Sequence, residues 1–475
     1  MISLAAWMAF SSPALAADVS IGVGDDISAL TSSLRPGDRV LFAPGTYDLE
    51  ATITWTGLGT EEEPITIKPN GEGEVLFANS GGSWGIRVVD SAYMSVEGIT
   101  VTGGEYGGYA TGSGIEIENS THITLTNCIF KDLDGDGIRV DGDARDLLIE
   151  GNEVANLANG TGINVGCGDA SCWLQDSLIV GNLVHDTRYT GIYLQPGTQN
   201  VEILDNNIFR SERGTYLGPT ALGPTNYFEG NAIWQTEGDG IHIEGTAIVR
   251  NNVVFETGGD GIYTNNNDGN DLVDVVISHN TVARTDGYAA NLDDAYGADG
   301  FVFSNNALAN PTGYGLDWDD EYKYYGVEST NYISNNVVTG LVEGFDPLLY
   351  PTFVVPGGGF SDFENADNFD FYPRQGSTIV DRGDAAGDAY IPAFDFNGIA
   401  REGASPDVGA YEWDGTGNPG WVIDESFKQT DAVANNRRAD LGGGCCGGGG
   451  TGDQGLLFLP LAGLAVALRR RRRRS

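Results

Sequence analysis

Lysine is scarce in this sequence, which has only Lys68, Lys131, Lys323 and Lys428. Basic residues total 25 against 67 acidic ones, a formal net charge of -42. Six of the basic residues form the terminal run Arg469–Arg474; without them 19 face 67, or -48. Such a surface repels nucleic acid and anionic lipid headgroups, so neither is an expected partner. The five cysteines lack the paired Cys/His spacing of a zinc site. No Ser-His-Asp set or nucleophilic cysteine arrangement is evident. Long apolar runs are missing near the C-terminus too. The mostly apolar Leu456–Leu468 has 13 residues, whereas a comfortable membrane span needs about 20.

Glycine, by contrast, is abundant. Seventy glycines are about twice the usual share. They carry no collagen-like period, and aliphatic residues recur between them, which suits many short strands with tight corners. One pattern repeats: apolar, two residues, Asn, one residue, apolar. It reads Ile149/Asn152/Val154, Ile179/Asn182/Val184, Leu204/Asn207/Phe209, Phe228/Asn231/Ile233, Val249/Asn252/Val254, Ile277/Asn280/Val282, Phe303/Asn306/Leu308 and Ile333/Asn336/Val338. Leu125/Cys128/Phe130 fits with Cys128 in the Asn slot, as a buried structural thiol. From Cys128 to Asn336 the mean step is 26 residues.

A second marker keeps step: Gly, apolar, any residue, apolar, as in Gly114–Ile117, Gly137–Val140, Gly162–Val165, Gly191–Leu194, Gly240–Ile243 and Gly261–Thr264. No strand in such a unit can bury a face alone. Stacked coils solve this, because strands pair with the coils above and below and inward residues form one continuous core. The asparagines then fall in register and bond along the stack. The period and the Asn placement predict an all-β chain: a right-handed parallel β-helix of ten or more coils and three sheets. A short capping helix is expected over Asp26–Leu34, where Ile27, Leu30 and Leu34 have helical spacing, and a small β module is expected at the C-terminal end.

The two ends read as addresses. Ile2–Phe10 is apolar and Ala14-Leu15-Ala16 follows, so residues 1–16 read as a signal peptide cleaved after Ala16. Residues 17–95 hold the cap and first coils, and 96–340 the repeats. Near the other end, Cys445 and Cys446 stand in a glycine run, followed by Leu456–Leu468 and Arg469–Arg474. This resembles the myxobacterial C-terminal sorting tail. The resemblance implies that a membrane-bound sorting protease removes residues 456–475 and fixes the protein at the outer surface through a modified cysteine. The opening, with Pro36-Gly37-Asp38-Arg39-Val40 and Pro44-Gly45-Thr46-Tyr47, resembles that of β-helical polysaccharide lyases. Val380-Asp381-Arg382-Gly383, Asp395-Phe396-Asn397-Gly398, Arg401 and Asp407-Val408-Gly409-Ala410-Tyr411-Glu412 resemble the choice-of-anchor Q module. That implies a surface-display module over 341–413, followed by a linker over 414–455.

Stacking also predicts where chemistry can sit. The middle residue of each Gly strand points outward, so Glu116, Arg139, Asn164, Tyr193, Tyr216, His242 and Tyr263 form one file. Two positions on, a second file holds Glu118, Asp141, Gln195, Glu244 and Asn265. Tyr193, Tyr216 and Tyr263 with Asn164 and Gln195 make a candidate saccharide-binding surface, since aromatic faces stack on sugar CH groups and polar neighbours fix hydroxyls. The same tyrosines would also pack well on any exposed sheet. Asp239 and Asp260, in consecutive coils, together with Glu244, His242 and Arg139, are the catalytic candidates for glycoside hydrolysis or uronate elimination. Asp132, Asp134, Asp136, Asp141 and Asp143 crowd one coil and suggest calcium, although polar corner residues would look alike. Cys167 and Cys172 are an expected loop disulfide. The expectation is a monomeric, surface-anchored protein that binds polysaccharide, an acidic glycan included. A lyase or hydrolase and a structural envelope protein remain as alternatives.

Overall fold

The computed structural model describes residues 16–428, except 28–33, 82, 105–111, 169–171, 220–224, 266–271, 296–297, 319–330, 345–351, 385–390 and 402–404. The residues before Ala16, Cys445, Cys446 and the sorting tail therefore lie outside the described residues. So do most of the capping-helix segment and parts of the insertions between strands.

Every coil contributes short parallel strands. The first face is a 14-stranded sheet that begins at Asp18–Ile21 and ends at Tyr332–Ser334. The other two faces fuse into one 21-stranded sheet. They merge because some strands, such as Leu183–Leu194 and Asn207–Leu217, run around the corner without a break. The β-helix is thus all-β and parallel, with three faces but two continuous hydrogen-bonded sheets. The core is a single column: Val96, Leu125, Ile149, Ile179, Ile203, Phe228, Val249, Ile277 and Phe303 are buried from successive rungs of the first sheet.

At one corner the asparagines form the expected ladder, with one correction. Asn152, Asn182, Asn206, Asn231, Asn252, Asn280, Asn306 and Asn336 are the members, so Asn206 takes the place expected for Asn207. Each side-chain Nδ2 donates to the next Oδ1 at 2.9–3.0 Å. Each backbone N–H donates to the same oxygen, for example Asn231 to Asn252 at 2.9 Å. Cys128 heads the ladder, its N–H donating to Asn152 Oδ1 at 3.0 Å. Burial pushes the Cys128 thiol up to about 12, which leaves it chemically inert. The slip at 206 has a simple origin. Ile203/Ile208 and Leu204/Phe209 satisfy the apolar spacing equally well. In the fold Ile203 and Ile208 point inward, while Phe209 faces out between His185 and Trp234.

The residue before each ladder Asn turns the corner with positive φ: Gly151, Gly181, Asp205, Gly230, Asn251, His279, Asn305 and Asn335. Glycine, Asn and Asp tolerate that region best. The glycines opening the third-face strands have a different reason. A Cβ on Gly191 would meet the Gly214 carbonyl oxygen at 2.7 Å, and one on Gly240 would meet that of Gly261 at 2.7 Å. The glycine file lets adjacent coils approach at this corner.

Past the last coil strand, Val354–Pro356, the chain turns back along the second face. Phe363, Phe371, Tyr372, Phe396, Val408, Tyr411, Trp421 and Ile423 pack on Leu183, Phe209, Trp234, Val253 and Phe255 in a second core. The motif residues of 395–412 are the strap's internal staples. Asp395 accepts from the N–H groups of Asn397, Ile399 and Glu412. Arg401 donates to Glu412 at 3.0 Å and to Asn251 of the β-helix at 2.9 Å. The segment expected as a linker from residue 414 still packs on the β-helix as far as it is described. Trp421, Ile423 and Lys428 are buried, because Lys428 reaches Asp205 at 2.8 Å beneath the strap.

One acidic contact on the first sheet gives a pH prediction. Burial and the nearby Glu229 carboxylate push Glu202 up to about 7. Between its ordinary value and that one, the folded state keeps a proton that the unfolded chain has lost. Stability therefore falls as pH rises through this window. Glu202→Gln mimics the protonated form, so it is expected to raise the melting temperature at about pH 8 and leave it nearly unchanged at about pH 5, as thermal unfolding at the two pH values will read.

Candidate functional site

The glycine strands place one outward side chain per coil on the third face. Backbone pairing aligns Glu116 with Arg139, Arg139 with Asn164, Asn164 with Tyr193, Tyr193 with Tyr216, Tyr216 with His242, and His242 with Tyr263. All seven expected residues share the file. It also extends beyond them at both ends. Arg87 precedes Glu116, and Asn291, Asp317 and Glu343 follow Tyr263. Arg87 and Asp317 carried the same signal, in Gly85-Ile86-Arg87-Val88 and Gly315-Leu316-Asp317-Trp318. At Asn291 alanine replaces the glycine, and the signal fades.

The centre of the file is aromatic. Tyr216 and His242 stack with ring centroids 4.7 Å apart, and Tyr193 and Tyr263 meet them edge-on at 4.7 and 4.8 Å. Tyr193, Tyr216 and Tyr263 are half-buried, whereas His242 is 5% exposed. Around these rings stand close polar partners. The Tyr216 hydroxyl donates to Glu244, whose Oε1 lies 3.1 Å from His242 Nε2. His242 Nδ1 lies 3.4 Å from Asp239 Oδ2. Burial disfavours the imidazolium, but the contacts to Asp239 and Glu244 outweigh it and hold His242 above its ordinary value. Burial and the Glu244 carboxylate raise the Tyr216 phenol. Arg213 lies over the Tyr216 ring and 3.9 Å from Asp239. Tyr263 bonds to Asp293 at 3.4 Å and accepts from Asn265 at 3.2 Å.

Asp239 and Asp260 are neighbours as expected, but each spends one oxygen on the fold. Asp239 Oδ1 accepts the Asp260 N–H at 3.0 Å, and Asp260 Oδ1 accepts the Tyr288 N–H at 2.7 Å. Their second oxygens face His242 and Asn291. Asp136 does the same one end over, holding the Thr161 N–H with Oδ1 and Asn164 with Oδ2. The three aspartates are corner staples whose second oxygens turn to side chains of the file.

The other half of the file is polar and self-paired. Arg87 bonds Glu116 and Glu118. Arg139 is clamped between Asp136 at 3.3 Å and Asp141 at 3.0 Å. Burial opposes its charge, yet the two carboxylates hold its guanidinium above the ordinary value. Arg139, a catalytic candidate, is thus ion-paired on both sides in the fold. Gln195 donates to Asn164 at 2.5 Å, and both are 8% exposed.

The five aspartates proposed for calcium do not converge. Asp136 and Asp141 are taken up by Arg139, Asp132 accepts from Asn156 at 3.1 Å, and the Asp143 N–H bonds Asn119. Among the described residues the one grouping of three donors is Asp141 with Cys167 and Cys172. Those sulfurs are joined in a disulfide, with Cα atoms 5.6 Å apart, and a disulfide supplies no thiolate ligand.

The right-handed β-helix region family model matches residues 113–275. That stretch contains the file from Glu116 to Tyr263. No curated protein matches the sequence. Among solved structures, pectate lyase Pel9A is similar over 83% of this chain and 96% of that one, at 16% identity and a TM-score of 0.51. Alginate lyase from Paenibacillus sp. str. FPU-7 is similar over 66% of this chain and 99% of that one, at 13% identity and a TM-score of 0.43. At such identity the likeness to Pel9A is one of fold, and chemistry must be argued from the site.

Proposed function

We propose that this protein is displayed on the outer cell surface and binds a linear polysaccharide along its third face. The observation that carries the reading is the file itself. Asn164, Tyr193, Tyr216, His242, Tyr263 and Asn291 follow one another at one residue per coil. Coils rise by about 4.8 Å, so an extended chain of sugars lying along the axis meets a ring or an amide at each step. Half-buried Tyr193 and Tyr263, each turned across its neighbour in the file, offer aromatic surface to a sugar at little entropic cost, and the amides and carboxylates beside them bond its hydroxyls. The shared fold with a pectate lyase supports a saccharide as the ligand class. Display rests on the sequence features of the two ends, the leader before Ala17 and the tail carrying Cys445 and Cys446.

The binding test uses the purified chain and a panel of glycans in titration calorimetry. At least one polymer is expected to bind without yielding product. Tyr216→Ala is expected to weaken that binding about tenfold, equivalent to about 1.4 kcal/mol. Unchanged affinity in Tyr216→Ala and Tyr193→Ala alike would remove the file from the binding surface.

One observation favours a second reading, catalysis. Hydrogen bonds link Tyr216, Glu244 and His242, and Asp239 lies 3.4 Å from the other nitrogen of that imidazole. That arrangement can hold and pass a proton at a glycosidic oxygen or ring carbon. New reducing or unsaturated ends in the same incubations, abolished by His242→Ala, would establish it in place of simple binding.

A further inference from the structure

We infer that the file takes an uncharged glycan and rejects polyuronates. This inference rests on the glycan-binding reading above and names the ligand class for that surface. The argument is one of charge. A uronate polymer presents one carboxylate per sugar, so a site for it needs a free cation or a bound metal at nearly every step. Among the described residues of the file, the cations are already matched. Arg87 bonds Glu116 and Glu118, and Arg139 sits between Asp136 and Asp141.

At the aromatic centre the balance is negative. Arg213 is the standing cation there and His242 a group that can take a proton, and both face Asp239. Against them stand Asp239, Glu244, Asp260 and Asp293, all in contact with the rings or Asn291. Even with His242 protonated, two positive groups against four carboxylates leave a net of -2. The next two coils add Asp317 and Glu343 to the same file, and the Tyr288 hydroxyl donates to Glu343 at 2.5 Å. A polyanion laid along this surface would meet like charge at coil after coil. No converging set of carboxylates offers calcium as a bridge, since the one three-donor grouping among the described residues is built on a disulfide.

The same groups suit a neutral sugar. Carboxylates and amides beside an aromatic face accept hydroxyl protons in pairs, and ring stacking needs no charge on the ligand. Gln195, Asn164, Asn265 and Asn291 supply the amides.

The experiment compares polymers on the intact purified chain. Soluble glucan, mannan and galactan are titrated beside polygalacturonate and alginate, the latter two once in chelator and once in calcium. The expected result is binding of at least one neutral polymer with an affinity insensitive to salt. Both uronates should bind roughly tenfold or more weakly in either condition. Uronate binding equal to or tighter than neutral binding, with Tyr216→Ala still weakening it, overturns the inference and leaves the binding surface in place. Uronate binding that appears only with calcium overturns it as well. If no polymer binds at all, the glycan-binding reading itself fails, and this inference falls with it.

Discussion

Asn252→Ala is expected to destabilise the protein by about 3–5 kcal/mol, among the largest effects of any single substitution. Asn252 sits in mid-ladder and is fully buried. Its Oδ1 accepts from the N–H and the Nδ2 of Asn231, at 2.9 and 3.0 Å. Its Nδ2 donates to Asn280 Oδ1 and the Phe228 carbonyl, at 3.0 and 2.9 Å. Alanine leaves two donors on one side and two acceptors on the other without this partner, in a column that excludes water. Each buried group so stranded costs about 1–3 kcal/mol. The remaining ladder relaxes only in part, so the terms do not add fully. Asn252→Asp keeps the acceptor but removes the donor and buries a charge, and should be no better. Asn207→Ala makes the contrast. Asn207 lies outside the ladder, bonding the strap carbonyls of Asp424 and Ser426 at 2.8 Å. Its loss should leave the coils intact and loosen the strap. Denaturant unfolding of the three variants checks the order.

Lys428→Met is expected to cost about 3–5 kcal/mol through a different mechanism. Lys428 Nζ meets Asp205 Oδ1 at 2.8 Å, and both side chains are 1% exposed. It also donates to the Gly230 carbonyl at 2.6 Å and lies 3.4 Å from the centre of the Phe396 ring. Removing the cation strands the Asp205 carboxylate beneath the strap. The loss should appear as earlier proteolysis of the segment after residue 352 as well as a lower unfolding midpoint. Asp205→Asn in the same chain should restore most of it, because the neutral amide needs no counter-ion and still tolerates the positive φ of that corner.

Much of the architecture was legible because period and corner chemistry are local in sequence. Asn spacing marked the ladder, and the Gly-apolar-x-apolar strand marked the surface file. The close approach of coils at Gly191 and Gly240 explains why that glycine recurs. Where two residues satisfied one spacing, as at Asn206 and Asn207, the pattern had no means to choose. The decision was made by Phe209, which packs under a strap more than 150 residues away in sequence. Long-range packing of that kind leaves no local signature. The same holds for Lys428, which falls in the segment expected as a linker, and for His279, a fully buried histidine at a corner otherwise held by glycine, asparagine or aspartate.

The candidate site was legible in position and less so in chemistry. Tyr193, Tyr216, His242 and Tyr263 are adjacent as their spacing required. The charge pairing was not visible, because it depends on which carboxylate oxygen each corner leaves free. Arg139 drew attention as a lone cation among polar residues, and its two aspartate partners turn it into a structural clamp. The aspartate cluster drew attention as a count, and the coil disperses it.

A crystal structure of the chain with a bound oligosaccharide tests the central claim most directly. The account predicts a sugar chain lying along the helix axis, against Tyr193 and Tyr263 and past the edge of Tyr216, with hydroxyls on Asn164 and Asn291. Sugar density on the first sheet or the strap, with the tyrosine file bare, would contradict it.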